Sequence, residues 1–222
     1  LPQRPKDQWP MLVGFSDITA LHSLLSLHGV ASLHANMCKD LSLLPDEDIA
    51  LSAEREFFMA DTIPSPLSFT SHLLPLTYHP SPHHANVPYT IHHTSSSPLN
   101  RGGEVVGKLI GGNLSVLYGL QGTPYSLNKI IEQCEQPPIL FIEDISENHY
   151  HIDRMLNSLR MSAVFDSIGG LVVGQFTDCA DDPSMGCSLL ESIRQVVDDY
   201  SFPILFDYPS GHIDSNYPLL LS

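Results

Sequence analysis

The sequence predicts an α/β fold, because short apolar stretches that suit buried strands alternate with amphipathic stretches that suit helices. A second observation is a shift in composition that divides the 222 residues into three parts. We predict an N-terminal α/β unit over residues 1–60, a proline- and histidine-rich connection over 61–100 and a C-terminal α/β domain over 101–222.

The N-terminal unit begins with an apolar stretch that ends at a serine. Residues 11–15 suit a buried strand, Ser16 follows, and Asp17 and Thr19 favour a helix N-terminus. Apolar residues then recur on one helical face until Gly29. The elements predicted here are a strand over 11–15, a helix over 17–28, a strand over 30–37 and a helix over 46–60.

The connection contains seven prolines, which exclude long helices. It also carries two histidine pairs, His83–His84 and His92–His93. A metal site and a solvated loop both fit such pairs. Adjacent side chains of a strand point in opposite directions, and no cysteine or acidic residue lies at ligand spacing, so we predict a solvated loop and no metal site.

The C-terminal part returns to regular alternation of strands and helices, with Gly111, Gly112 and Asn113 interpreted as a turn after the first strand. The elements predicted here are strands over 104–110, 139–142, 170–176 and 203–206 and helices over 114–120, 150–159 and 188–199.

Composition restricts the classes of partner. The formal net charge of −15 disfavours nucleic acids and anionic membranes, because both are attracted by basic surfaces. The four cysteines form no C-x-x-C pair, which favours a reducing compartment. We find no signal-peptide pattern and no apolar run that could span a bilayer, and therefore expect a cytoplasmic location.

Ser16 is a candidate nucleophile, since a serine between a strand and a helix can stand on an elbow beside the first helical amides. An ordinary helix N-cap fits the same pattern, and Ile18 occupies the position of the second glycine of a G-x-S-x-G elbow. A serine nucleophile needs a histidine base and a carboxylate, and Glu143 and His212 both follow predicted strands. The alternatives are a solvent-facing Glu143 beside a helix-capping Asp144, and a surface histidine.

Four segments in this order resemble the LD-carboxypeptidases, a family of serine peptidases with a Ser-Glu-His triad. Phe15 stands where that family usually has tyrosine. The segments are Gly14-Phe-Ser-Asp-Ile-Thr-Ala-Leu-His22, Gly107-Lys-Leu-Ile-Gly-Gly-Asn-Leu-Ser115, Phe141-Ile-Glu-Asp-Ile145 with Tyr150-His-Ile-Asp-Arg154, and Pro209-Ser-Gly-His212.

The resemblance implies a role for each matching residue. Ser16 would be the nucleophile, His212 the general base and acid, and Glu143 the carboxylate that orients His212. The backbone N–H of Asp17 would be an oxyanion donor, and Asn113 would have a supporting role. No cofactor is implied.

Other features concern the supporting structure. Asp153 and Arg154 are expected to form an ion pair on a helix. Members of the family carry a further N-terminal segment, with a glycine-rich turn expected to supply the second oxyanion donor, and a further C-terminal strand. We expect this chain to be a fragment without them. Ala35 and Asn36 replace the usual Gly-Pro of a His-Gly-Pro-Met segment and are expected to reshape that loop.

The resemblance implies a serine carboxypeptidase that cleaves the amide between an L-configured centre and a terminal D-amino acid. In the family this releases D-alanine from murein tetrapeptides during cell-wall recycling, and a homodimer is implied. One alternative is a relative of the microcin C resistance proteins that hydrolyses an aminoacyl-nucleotide amide. Another is a non-catalytic binding homologue that keeps the fold.

Overall fold

The computed structural model describes residues 5, 9–59, 76–78, 88–91, 97–103 and 105–222. Strands and helices alternate through most of this part of the chain, which confirms the predicted α/β class. The strands are β1 (Val13–Gly14), β2 (Ser32–His34), β3 (Leu76–Tyr78), β4 (Pro88–Ile91), β5 (Val105–Asn113), β6 (Ile139–Ile145), β7 (Gly170–Thr177), β8 (Ile204–Leu205) and β9 (Leu219–Leu221). The α-helices are α1 (Thr19–Leu27), α2 (Cys38–Leu41), α3 (Ile49–Met59), α4 (Leu114–Gly119), α5 (Leu127–Ile131), α6 (His149–Met161) and α7 (Leu189–Val196).

The smaller sheet has the order β1-β2-β9. Strands β1 and β2 are parallel, with Gly14 opposite His34, and β9 runs antiparallel to β2. A strand that the sequence did not predict, β9 at Leu219–Leu221, follows the predicted strand over 203–206. Its three leucines are fully buried and complete the smaller sheet.

The larger sheet has the order β3-β4-β5-β6-β7-β8. Strands β5 to β8 are parallel, whereas β3, β4 and β5 pair antiparallel. Strands β3 and β4 fall within the predicted connection, and both histidine pairs lie outside the described residues. The predicted boundary at residue 101 thus separates β4 from its neighbour β5, and β9 joins the smaller sheet from the end of the chain.

Two apolar layers cover the parallel strands. On one face, side chains of β5, β6 and β7 pack against α4 to α7. On the other face, Leu109, Phe141 and Val172 pack with Leu33 of the smaller sheet and with the leucines of β9. The smaller sheet therefore lies against the larger one, and their carboxyl ends supply the residues of the site described below.

Several element boundaries differ from the predictions. The first predicted helix begins with a 3₁₀ turn over Ser16–Ile18 before α1. The predicted turn at 111–113 is instead the end of β5, which pairs with β6 through Gly111 opposite Phe141. Helices α2 and α5 were not predicted, because four and five residues are too short to show a helical period.

Candidate active site

Ser16 stands at the elbow between β1 and the helical turn that leads into α1. Its backbone has a φ of +64°, in the left-handed region that few residues other than glycine adopt. The amide of Ile18 donates to the carbonyl of Phe15 at 3.3 Å and closes the turn. Strained backbone of this kind is frequent at functional sites, and it distinguishes Ser16 from an ordinary N-cap, whose backbone is extended.

Glu143 and His212 form a hydrogen-bonded pair. Glu143 lies near the end of β6, and His212 lies in the loop after β8. Nδ1 of His212 is 2.7 Å from Oε2 of Glu143. The Glu143 side chain is fully buried, and the His212 side chain is 12% exposed. The alternative of a solvent-facing Glu143 is wrong, and Nε2 of His212 is the ring nitrogen left for another group.

The pair favours its charged forms despite burial. Burial raises the pKa of Glu143, but the hydrogen bond from His212, the proximity of His34 and the charges of both imidazoles outweigh it, so the pKa lies below its ordinary value. Burial lowers the pKa of His212, but the hydrogen bond and charge of Glu143, with the charges of Asp144 and Asp17, raise it above its ordinary value. The carboxylate therefore stabilises an imidazolium on His212.

Ser16 follows a residue that contacts this pair and is not itself hydrogen-bonded to it. The ring of Phe15, the preceding residue, packs edge-on against the His212 imidazole with 4.9 Å between centroids. The hydrogen bonds among the described residues do not include one between Ser16 and His212. The structure thus brings the two loops together, and the triad and the oxyanion role of the Asp17 amide stay predictions.

The loop that carries His212 is held by buried polar groups. The amide of Gln175 donates to the carbonyl of Ser210 at 2.9 Å. The fully buried Asn216 accepts, through Oδ1, the Gly211 amide at 2.9 Å and the Ser210 hydroxyl at 3.0 Å. These bonds tie the loop to β7 and hold Ser210 and Gly211, the two residues before His212, in place.

Asn113 supports the neighbouring strands. Its Oδ1 accepts the amide of Val116 and caps α4, while its Nδ2 donates to Asp144 at 2.9 Å. Asp144 also accepts from the amide and the hydroxyl of Ser115 in the first turn of α4. Burial raises the pKa of Asp144, partly opposed by these bonds. Asp144 thus serves a helix N-terminus, as one alternative proposed for it.

The expected ion pair between Asp153 and Arg154 is wrong. Asp153 accepts from Nδ2 of Asn157 at 3.1 Å, and the Arg154 guanidinium lies 5.7 Å from the ring centroid of Tyr150. Neighbouring residues on a helix point about 100° apart, so consecutive side chains do not face each other.

His34 is the residue of the site that sequence reasoning missed. It ends β2, is fully buried, and its Nε2 lies 3.9 Å from Oε1 of Glu143. A histidine in a predicted strand beside the strand of the elbow was a usable signal, since parallel strands end at the same edge.

A cleft of about 470 Å³ opens beside Phe15 and His212. Three aspartates and no lysine or arginine are among its lining residues. The cleft is lined by Phe15, Asp40, Leu43, Leu44, Pro45, Asp48, His212, Ile213, Asp214 and Ser215.

Neither a metal cluster nor a membrane span is found in the part of the chain that the structure describes. No three histidine, cysteine or acidic side chains there are grouped to hold a metal ion. None of the described helices is long and apolar enough to cross a bilayer.

Comparison with known proteins gives one family match and clear relatives. Residues 106–222 match the LD-carboxypeptidase C-terminal domain. A probable murein peptide carboxypeptidase of Bacillus subtilis is 31% identical over 216 residues, which are 95% of this chain and 56% of the relative. The microcin C7 self-immunity protein MccF of Escherichia coli is 29% identical over 120 residues, which are 53% of this chain and 32% of that protein.

The fold also matches solved structures. The muramoyltetrapeptide carboxypeptidase of Oxalobacter formigenes superposes with a TM-score of 0.67 at 24% identity, over 96% of this chain and 62% of that chain. The chain spans somewhat more than half the length of the Bacillus relative. Because the family match covers more than half of the residues and includes β6 and the His212 loop, the chain belongs to the LD-carboxypeptidase family.

Proposed function

We propose that this protein is a serine carboxypeptidase that releases D-alanine from a murein tetrapeptide. The observation that carries the proposal is the 2.7 Å hydrogen bond between Glu143 and His212, next to a serine held at a φ of +64°. Family membership and the name of the Bacillus relative support the substrate class. The reaction is hydrolysis of the amide between an L-configured centre and the terminal D-amino acid.

The mechanism is acyl transfer through Ser16. Its Oγ attacks the amide carbonyl while Nε2 of His212 takes its proton, and Glu143 stabilises the imidazolium. The oxyanion forms beside the Asp17 amide. His212 returns the proton to the leaving amine as the C–N bond breaks, and a water molecule, activated by His212, then cleaves the ester and frees Ser16.

The cleft beside His212 suits a small peptide. A volume of about 470 Å³ lies within the usual range of about 300–1,000 Å³ for small-molecule sites. Its three aspartates favour a substrate that carries an amine over a polyanion. We further propose a cytoplasmic homodimer that acts in cell-wall recycling, as the family resemblance implies.

Substitution of the nucleophile tests the proposal. Ser16→Ala removes the attacking hydroxyl, and D-alanine release from the tetrapeptide is expected to fall at least about a thousandfold. The matched control is Ser52→Ala, which removes an exposed hydroxyl from α3 and is expected to leave the rate unchanged. Circular dichroism checks that both variants stay folded. Undiminished turnover by folded Ser16→Ala protein would contradict the assignment.

The main alternative keeps the chemistry and changes the substrate. Similarity to the microcin self-immunity protein, over about half of this chain, makes an aminoacyl-nucleotide amide the second candidate. The comparison to make is kcat/KM for a murein tetrapeptide against kcat/KM for an aminoacyl sulfamoyl adenosine. A higher value for the nucleotide would replace the proposed substrate. Failure of both substrates and of a fluorophosphonate probe at Ser16 would favour a non-catalytic homologue.

A further inference from the structure

His34 is buried against the second oxygen of the site carboxylate. Oε2 of Glu143 bonds His212, whereas Oε1 faces Nε2 of His34 at 3.9 Å. Both side chains are fully buried, and neither Oε1 of Glu143 nor Nε2 of His34 has a hydrogen-bond partner among the described residues. Two atoms that each lack a partner therefore face each other inside the protein.

The opposite nitrogen of His34 indicates where its hydrogen lies. Nδ1 is 3.3 Å from Oγ of Ser210, a hydroxyl that also reaches Asn216. The single hydrogen of the Ser210 hydroxyl goes to Oδ1 of Asn216, so Ser210 accepts from an Nδ1–H of His34. A bare Nε2 would turn a lone pair towards a buried carboxylate, which is unfavourable. An N–H on Nε2 as well as on Nδ1 therefore suits the two neighbours of this imidazole.

The surroundings fix the position of the imidazole. Phe141 packs edge-on against it with 5.0 Å between centroids, and Phe15 lies 6.1 Å away. The ring of His22 from α1 is 6.3 Å away, and its nitrogens are occupied by the Ser32 hydroxyl and the Gly14 carbonyl. His34 therefore contacts the strand of Glu143, the elbow and the His212 loop.

We propose that His34 is a positioning residue for the reaction. Its Nε2–H faces Oε1 of Glu143 and keeps Oε2 of the same carboxylate directed at His212. The proposal rests on the proposed function, because it assigns Glu143 and His212 to catalysis. His34 touches no reacting atom and acts through Glu143 alone.

The proposed contact has a consequence for the pH dependence. The catalytic base requires a neutral His212 beside an ionised Glu143. An N–H at Oε1 favours that state, because it stabilises the ionised carboxylate. Without this N–H, the negative charge of Glu143 holds the second proton of His212 more strongly, and His212 loses it only at a higher pH. The other charged or titratable groups near the pair are Asp144 on β6, Asp17 at the elbow and His22 on α1, and none of them is altered in the variants below.

The test compares two amides at position 34. The amide nitrogen of Gln can occupy the place of Nε2. The Asn side chain is one bond shorter, so its amide nitrogen reaches only the place of Nδ1. We expect His34→Asn to move the acidic limb of the kcat/KM profile up by about one pH unit. Its kcat should fall about tenfold with KM changed less than twofold, and His34→Gln should restore most of both. The buried-histidine control is His149→Gln, in α6, which is expected to leave the acidic limb unchanged.

A second measurement separates this proposal from the proposed function. Proton NMR of the resting protein follows the hydrogen between His212 and Glu143 without any substrate, and its titration should move to higher pH in His34→Asn and back in His34→Gln. If the wild-type protein releases no D-alanine, the proposed function fails while this readout still tests His34. Equal titrations in wild type and His34→Asn, or a Gln variant that behaves like Asn, would overturn the role of His34.

Discussion

At the scale of single residues, burial of the Glu54 carboxyl is expected to lower the free energy of unfolding. It lies in α3, fully buried, and its Oε1 accepts the amide of Asn36 at 2.9 Å. Its Oε2 has no partner among the described residues. Burial raises the pKa of Glu54 to about 7, opposed by the Asn36 bonds and assisted by the charges of Asp48 and Asp40.

This pKa predicts a loss of stability as the pH rises. The folded-state pKa of about 7 lies above the ordinary value of 4.5, so the unfolded chain ionises first and the free energy of unfolding falls between these two values. The shift corresponds to about 3 kcal/mol. Glu54→Gln cannot ionise and keeps an acceptor for Asn36, so it should be more stable than wild type at pH 8 and similar at pH 4.

Urea unfolding at pH 4, 6 and 8 measures this difference. The control is Glu47→Gln, which changes an exposed carboxyl before α3 and should preserve the wild-type pH dependence. A Glu54→Gln protein whose stability follows the wild-type curve would show that Glu54 ionises as easily in the folded state as in the unfolded chain.

At the scale of elements, the close approach of β5 and β6 depends on one glycine. A Cβ built on Gly111 would lie 2.0 Å from the carbonyl oxygen of Phe141, and the φ of Gly111 is +126°. Asn113 and Glu143 are opposite each other in the same register. The pairing of β5 with β6 therefore also sets the position of Glu143 relative to Asn113. Sequence reasoning interpreted these glycines as a turn, because glycine marks turns more often than strand contacts.

Substituting alanine for Gly111 should disrupt the pairing of β5 with β6. Gly111→Ala is expected to destabilise the protein by several kcal/mol and to lower Tm by roughly 10 °C. Gly119→Ala in α4 is the matched control, because no atom lies within 4 Å of its added Cβ. It should leave Tm unchanged or raise it slightly. Thermal denaturation compares the two, and equal Tm values would show that β5 and β6 can separate without cost.

At the scale of the whole molecule, packing rather than covalent links holds the described chain together. All four cysteines are free: Cys38 is exposed, and Cys134, Cys179 and Cys187 are partly buried. Two apolar layers, one under the helices and one between the sheets, account for the core instead. No disulfide therefore joins these four cysteines.

Thiol chemistry provides a test at this scale. Because burial raises the pKa of Cys134 and of Cys179, their thiolates are scarce at neutral pH, and Cys38 should react first with a thiol reagent. Cys38→Ser should remove the fast phase. Because all four thiols are free, a reductant should leave Tm unchanged. A lower Tm in the reductant would reveal a disulfide and contradict the free thiols.

The sequence by itself determined the α/β class, most of the strands and helices, and the candidate roles of Ser16, Glu143 and His212. Hydrophobic period and turn residues are local, and the family segments can be read along the chain. Only the tertiary structure decided that β9 joins the smaller sheet, that Gly111 belongs to a strand, and that His34 faces Glu143. These contacts join residues that are distant along the chain, and no local pattern encodes which strand ends meet when two sheets pack together.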